Sequence, residues 1–307
     1  MRIESFEDFV GQDKIKEHLR IVLDNAKSTG EMDHTLITGL RGFGKTTLAR
    51  ICAKELGWEF QEFDLSSGDV INVMTHLYNI SNDKRLKLKS HLIYLDEVHG
   101  AKSSSEILLK VMEEKKVLGK PIKFTFVAST NRMGLLPDAL LSRFQIKYQL
   151  SKYSSQEMVT VIKHSARIAG ITINDDACSK IEQVSRGIPR EAQNILRRCN
   201  DFGSDITLAI VNNTLYHIGI DDTGLSDMDL RYLNAIEAKK NKPQSLKNLE
   251  VLVDEEPSTI EKVIEPYLIE RGFVDRTPRG RILTVEGLEY IGSDLPAPGI
   301  SLKDLLK

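Results

Sequence analysis

The segment Gly39-Leu40-Arg41-Gly42-Phe43-Gly44-Lys45-Thr46-Thr47 constrains the fold of this chain more than any other. It fits Gly-x-x-x-x-Gly-Lys-Thr, follows the β-branched run HTLITG (34–39) and precedes the helical pattern LARICAKEL (48–56). Strand, glycine-rich loop and helix in that order make a phosphate cradle, not a chance glycine-rich turn. Gly39, Gly42 and Gly44 let backbone N–H groups turn toward phosphates at a helix N-terminus. Lys45 places an ammonium by the β- and γ-phosphates, the Thr46 hydroxyl is a ligand for Mg²⁺, and Thr47 follows on the same turn. ATP and Mg²⁺ are the cofactors this implies.

A second apolar run, LIYLDEVH (92–99), ends on Asp96 and Glu97. After a phosphate loop, two carboxylates at a strand end divide the labour: Asp96 holds the metal and Glu97 polarises the attacking water. His99, one histidine after a strand, reads as a hydrogen-bonded structural residue rather than a chemical group. HTLITG, HLIYLDE (91–97) and IKFTFVAST (122–130) carry nearly continuous apolar residues. That pattern belongs to a parallel sheet covered by helices on both faces, an α/β core over residues 1–150.

Beyond residue 150 the pattern changes. QEMVTVIKHSARIAG, DDACSKIEQVSRG and REAQNILRRCNDFG hold apolar residues at helical spacing with no strand signal, which predicts a small helical domain over 151–220. GIDDTGLSDMD (219–229) is a polar turn, and 221–295 then shows three helical patterns, a basic turn RTPRGR and a β-like ILTVEG, the order of a winged helix. Residues 296–307 are a tail of Pro-rich spacer and short amphipathic stretch. Cys52, Cys178 and Cys199 are too scattered for a disulfide framework or a zinc site. No apolar run approaches the roughly 20 residues that span a bilayer, so a cytoplasmic protein without membrane contact is expected. The net charge, 42 − 44 = −2, argues against a wholly basic nucleic-acid binder. Yet Arg271, Arg276, Arg279 and Arg281 crowd one stretch, opposed in sequence by Asp275 alone. Arginines on such a turn suit phosphate contacts that position DNA without reading it.

The set GLRGFGKTT, LDEVH, ASTN (128–131), LLSRF (140–144) and GIPR (187–190) resembles an AAA+ ATPase. FEDFVGQDKIKEHL (6–19), SRGIPREAQNILRR (185–198) and EPYLIERGFVDRTPRGR (265–281) are similar to the RuvB family within it, motors of Holliday junction branch migration. The resemblance implies an AAA+ P-loop parallel-sheet core, a helical lid and a C-terminal winged helix, assembled into a ring of six. It implies that Phe9 and Val10 contact adenine, with Arg2 and Tyr153 at the pocket edge. Thr130 or Asn131 would be the polar sensor, and Asn131 is preferred. Arg143 would be an arginine finger for a neighbouring subunit, Arg190 the lid arginine, and Arg276, Arg279 and Arg281 the DNA contacts.

The chain departs from the family in GLRG (39–42) where Gly-Pro-Pro-Gly is usual, in its tail, and above all in one interval. MEEKKVLGKPIKFTFVAST (112–130) is short and charged where the family carries an apolar hairpin that docks on RuvA, so the docking element is expected to be missing. Two other readings stay open: a clamp-loader-like remodelling ATPase acting through a protein partner, and an ATP-regulated DNA-binding module.

Overall fold

The computed structural model describes residues 3–239 and 242–292; Arg2 and the tail lie outside the described residues. Five strands form one parallel sheet. From edge to edge they run Glu59–Asp64, His91–Asp96, Phe124–Thr130, Thr35–Thr38 and Ile146–Gln149. The three sequence-predicted strands are the central ones. The two edge strands carry no such apolar run, because each is polar and largely exposed, as in Glu-Phe-Gln-Glu-Phe-Asp. Alternate residues of the central strands enter two cores. Leu92, Tyr94 and Val127 face one side with Ile37, and Ile93, Leu95 and Phe126 face the other with Leu36. Burial on both faces explains why these strands read as unbroken apolar runs.

The register sets strand ends side by side: Thr38 pairs with Thr130, and Asp64 with Asp96. Every chemically loaded loop therefore leaves the same edge of the sheet, where ligands bind in open α/β folds.

The lid is built on the helices Ser155–Ala169, Asp175–Val184, Pro189–Asn200 and Leu208–His217. Its first helix starts with a reciprocal capping box, Ser154 and Glu157, and its third has Pro189 in the first turn. The all-helical expectation needs one correction. Thr172–Ile173 and Asp205–Ile206 pair as a two-residue parallel ladder, too short to leave a periodic signal. Lid residues such as Ile195 and Leu196 share a continuous apolar cluster with the sheet's Tyr94 and Val127.

The last domain has its own core around Tyr232, Leu249, Ile264 and Leu283. Helices Asp227–Glu237, Leu246–Val253 and the run 257–270 precede a hairpin, Val274–Thr277 with Gly280–Leu283. The strand stops after Leu283 because the Thr284 hydroxyl accepts the Gly287 N–H at 3.0 Å and starts the helix Val285–Tyr290. Thus only Ile282 and Leu283 of ILTVEG are strand.

The expected loss of the docking hairpin is also modified. A stub remains, Lys116–Val117 against Lys120–Pro121, turned by Leu118 and Gly119 at positive φ. Leu118 at its tip is 80% exposed.

Candidate functional site

Gly42 and Gly44 hold φ of 88° and 96°, which side chains with a Cβ rarely adopt. A Cβ on Gly44 would lie 2.8 Å from the Phe9 ring, and one on Gly42 would lie 2.7 Å from Ile188 Cγ2. The loop is thus pinned between the N-terminal segment and the lid. Gly44 caps the helix Lys45–Leu56, whose first N–H groups point out of the loop. A cavity of about 330 Å³ opens beside it, lined by Phe9, Val10, Tyr153, Thr46, Thr47 and Arg190 among others. Phe9 and Tyr153 are buried. The Tyr153 hydroxyl donates to the Phe43 carbonyl at 3.1 Å, so the pocket wall is tied to the loop.

The Lys45 ammonium donates to the carbonyls of Gly39 and Leu40, both at 3.0 Å. Burial lowers its pKa from the ordinary value, against the opposing pull of Asp96 and Glu97. Asp96 is held by its neighbours. Ser129 on the adjacent strand and the Glu97 N–H, at 3.0 Å, donate to Oδ1, and so does the Tyr94 hydroxyl at 3.3 Å. None of these bonds uses Oδ2. Thr46 in turn donates to Tyr94 at 3.1 Å. A hydroxyl and a carboxylate are hard oxygen donors of the kind Mg²⁺ accepts while keeping most of its water. Among the described residues no cluster of three or more His, Cys, Asp or Glu is placed to hold a metal ion.

Glu97 sits at φ 49°, a left-handed conformation unusual outside glycine. Its Oε2 is buried without a hydrogen-bond partner. His99 Nδ1 lies 3.3 Å from it, but that atom is hydrogen-bonded to Thr130 Oγ1 at 2.9 Å. Thr130 is fully buried at the strand end, whereas Asn131, the preferred sensor in sequence, is exposed on the following turn. Tyr94, Ser129 and His99 are the site residues that sequence reading undervalued. Ser129 and His99 link neighbouring strands, and Tyr94 reaches Asp96 from two residues earlier on the same strand.

Arg190, on the first turn of the lid helix Pro189–Asn200, lines both the main cavity and the cleft beside Lys45, Asp96 and Glu97. Arg143 lies away from this cleft on the surface, 47% exposed and paired with Glu113.

On the winged helix, Arg276 and Arg281 are direct cross-strand partners. Two like charges opposite each other repel. Here Glu265, whose side chain is 0% exposed, lies between them. Its Oε1 accepts from Tyr232 at 2.7 Å and Arg281 Nε at 2.8 Å, and its Oε2 from Arg276 Nε at 2.6 Å. Arg281 is only 14% exposed and reaches Glu261 as well, at 3.2 Å, while Arg276 remains 46% exposed. The arginines are therefore opposed by more than Asp275: two glutamates eleven or more residues upstream meet them in space. Arg279 stands at the hairpin turn and is exposed.

Three families match successive parts of the chain: Holliday junction DNA helicase RuvB P-loop domain over 1–150, RuvB AAA lid domain over 153–221, and RuvB C-terminal winged helix domain over 222–292. The Holliday junction branch migration complex subunit RuvB of Salinibacter ruber is 35% identical over 326 aligned residues, which covers 99% of this chain and 93% of the relative. Its namesake from Chlorobaculum tepidum is 37% identical over 322, covering 98% and 91%. Among solved structures, the Thermotoga maritima RuvB Holliday junction branch migration motor superposes with a TM-score of 0.81 at 34% identity, covering 96% of this chain and 99% of that one.

Proposed function

This chain belongs to the RuvB family, and from that premise we propose that it is an ATP-hydrolysing motor that moves duplex DNA at a Holliday junction. The observation that carries the reading is the joining, through one lid, of a complete phosphate site to a winged helix with a preset arginine pair. A protein-remodelling ATPase has no use for that pair, and a passive DNA-binding module has none for Glu97.

In this reading the loop N–H groups at Gly42 and Gly44 receive the phosphates, and Lys45 exchanges two carbonyl partners for anionic oxygens, a stronger contact for a buried cation. Thr46 and Asp96 would hold Mg²⁺, which supplies positive charge to the β- and γ-phosphate oxygens when bound. Glu97 positions the attacking water and takes its proton on Oε2, the oxygen with no other partner. Thr130 displaces Asn131 as the proposed polar sensor, because it is the one packed inside the site. Phe9, Val10 and Tyr153 enclose the adenine. Arg190 touches the γ-phosphate from the same chain.

Arg143 reaches a neighbour's site, which requires a closed ring, of six subunits by family analogy. Arg276 and Arg279 contact DNA phosphates. Arg281 belongs to the same surface but braces it from within, since its charge is turned onto Glu265 and Glu261. With only a charged stub at the docking position, the motor engages junctions without the apolar hairpin contact to RuvA.

The test is ATPase rate and oligomeric mass with and without four-way-junction DNA, in the absence of other proteins. Junction-stimulated turnover by a ring, lost in Lys45→Ala, is the expected result. Turnover that ignores the junction would overturn the motor reading.

A further inference from the structure

Three residues along the chain separate the arginine that lines the phosphate cleft from one that holds the winged helix. Arg190 faces the cleft, and the turn before it touches the phosphate loop, with Ile188 Cγ2 only 2.7 Å from where a Cβ on Gly42 would stand. That turn is tight. The Ile188 N–H bonds the Ser185 carbonyl at 2.9 Å, and Arg186 and Gly187 are both left-handed, at φ 59° and 68°. A left-handed arginine is a costly conformation that persists only where its surroundings fix it.

The surroundings belong to the other domain. Arg186 donates to the Gly224 carbonyl through Nε at 2.9 Å and through Nη2 at 2.7 Å, and to Asp229 Oδ2 at 2.5 Å. Its guanidinium lies over the Tyr267 ring, 4.2 Å from the centroid. Arg186 is 19% exposed and Asp229 is 2% exposed. Asp229 also accepts from Ser226 N at 2.8 Å and Oγ at 2.6 Å, closing the capping box that starts the helix Asp227–Glu237. Tyr267 lies on the helix Glu265–Glu270, two residues after the carboxylate that sets Arg276 and Arg281. Planar stacking, a carbonyl and a carboxylate together fix a guanidinium in position and orientation, which an ammonium in the same place would not match.

We propose that Arg186 is a positioning residue that transmits the nucleotide state of the lid turn to the orientation of the winged helix. The proposal rests on the motor reading. A shift of Arg190 toward or away from the γ-phosphate moves a turn that is too short and too tightly bonded to absorb it. Arg186 carries the displacement into two helices of the DNA-facing domain at once. Coupling of this kind needs differential contacts in two states, and the cleft supplies them at one end of the turn.

The experiment measures distance between spin labels on introduced cysteines at the exposed Lys14 and Lys262, in the full chain, with and without a non-hydrolysable ATP analogue. The three native cysteines are buried and do not compete for label. The expected result is an analogue-dependent distance shift that is lost in Arg186→Lys and reduced in Asp229→Asn, the latter a milder change should the former fail to fold. Basal ATPase of both variants stays within about twofold, while base pairs moved per ATP fall by about tenfold, a typical size for coupling between sites. No shift in the unsubstituted chain, or the same shift in both variants, overturns the proposal. A normal shift in a chain that moves no junction overturns the motor reading instead.

Discussion

His99 Nδ1 stands 2.9 Å from Thr130 Oγ1, so one imidazole is tied to the end of one strand and held beside the carboxylate that follows the next, Glu97, whose Oε2 is 3.3 Å away without being hydrogen-bonded to it. Thr130 also accepts the Arg132 N–H at 2.9 Å, which holds its oxygen toward the ring. The imidazole packs between the proposed base and the proposed sensor and sets their spacing. His99→Ala is expected to lower kcat by about 10–100-fold with KM for ATP nearly unchanged, the signature of a misplaced group rather than lost binding. His99→Asn, which can keep a polar atom near Nδ1, should recover part of the loss. A raised KM at normal kcat in steady-state assays would remove His99 from this role.

The wing arginines should separate by experiment. Arg281 is nearly enclosed and spends its charge on Glu265 and Glu261, whereas Arg276 is half exposed. Arg276→Ala should weaken junction binding and lower the slope of log affinity against log salt by about 1, as expected for one phosphate contact. Arg281→Ala should act first on stability. It removes the more enclosed of two cations from a fully buried carboxylate; with Arg276 still on Oε2, the cost stays below the ~3–5 kcal/mol of a wholly unpaired buried charge. Thermal unfolding and salt-dependent binding on the two variants decide the matter. Equal Tm losses would sink the distinction.

What the sequence reveals here is what is local. The phosphate loop is legible because nine consecutive residues encode its turn, its cation and its helix start. The winged helix is legible because its helices and hairpin follow one another in order. The parts that hold Asp96 are not, because Tyr94 and Ser129 reach it from a neighbouring position and a neighbouring strand. Glu265 was equally hidden: eleven residues from Arg276 along the chain, it becomes the arginine's partner only when a helix folds over a hairpin. The choice of sensor depends on the same kind of relation, since only strand packing separates Thr130, buried, from Asn131, exposed.

Acid should destabilise the core through His34. Its Nδ1 accepts the Phe126 N–H at 2.9 Å, which requires a neutral ring, and it is 5% exposed. Burial, aided by Lys115, lowers its pKa from 6.5 to about 4. The unfolded chain therefore binds a proton that the folded chain refuses between these values. Stability is intact above about pH 6.5 and falls as pH drops toward 4, by about 3 kcal/mol in all for this group. His34→Asn keeps an acceptor for Phe126 without the titration. Urea unfolding from pH 7 to 4 should show a flatter profile in the variant, and parallel profiles would refute the assignment.

The pairing of Arg143 with Glu113 sets up a test for action between subunits. Both side chains are about half exposed, at 47% and 49%, so the bond contributes about 0–1 kcal/mol and yields readily to a stronger partner. A neighbour's phosphoryl oxygens are such a partner, because they carry more charge in a drier place. Arg143→Ala alone should bind ATP normally and hydrolyse it at least about 1,000-fold more slowly, the scale of an arginine finger. Lys45→Ala alone should also be inactive, for want of the phosphate contact. Each variant keeps what the other lacks, so mixed rings contain interfaces where an intact loop meets an intact finger. ATPase activity should return on mixing, with a maximum near equal proportions. An Arg143 that served its own chain would give no recovery at any ratio.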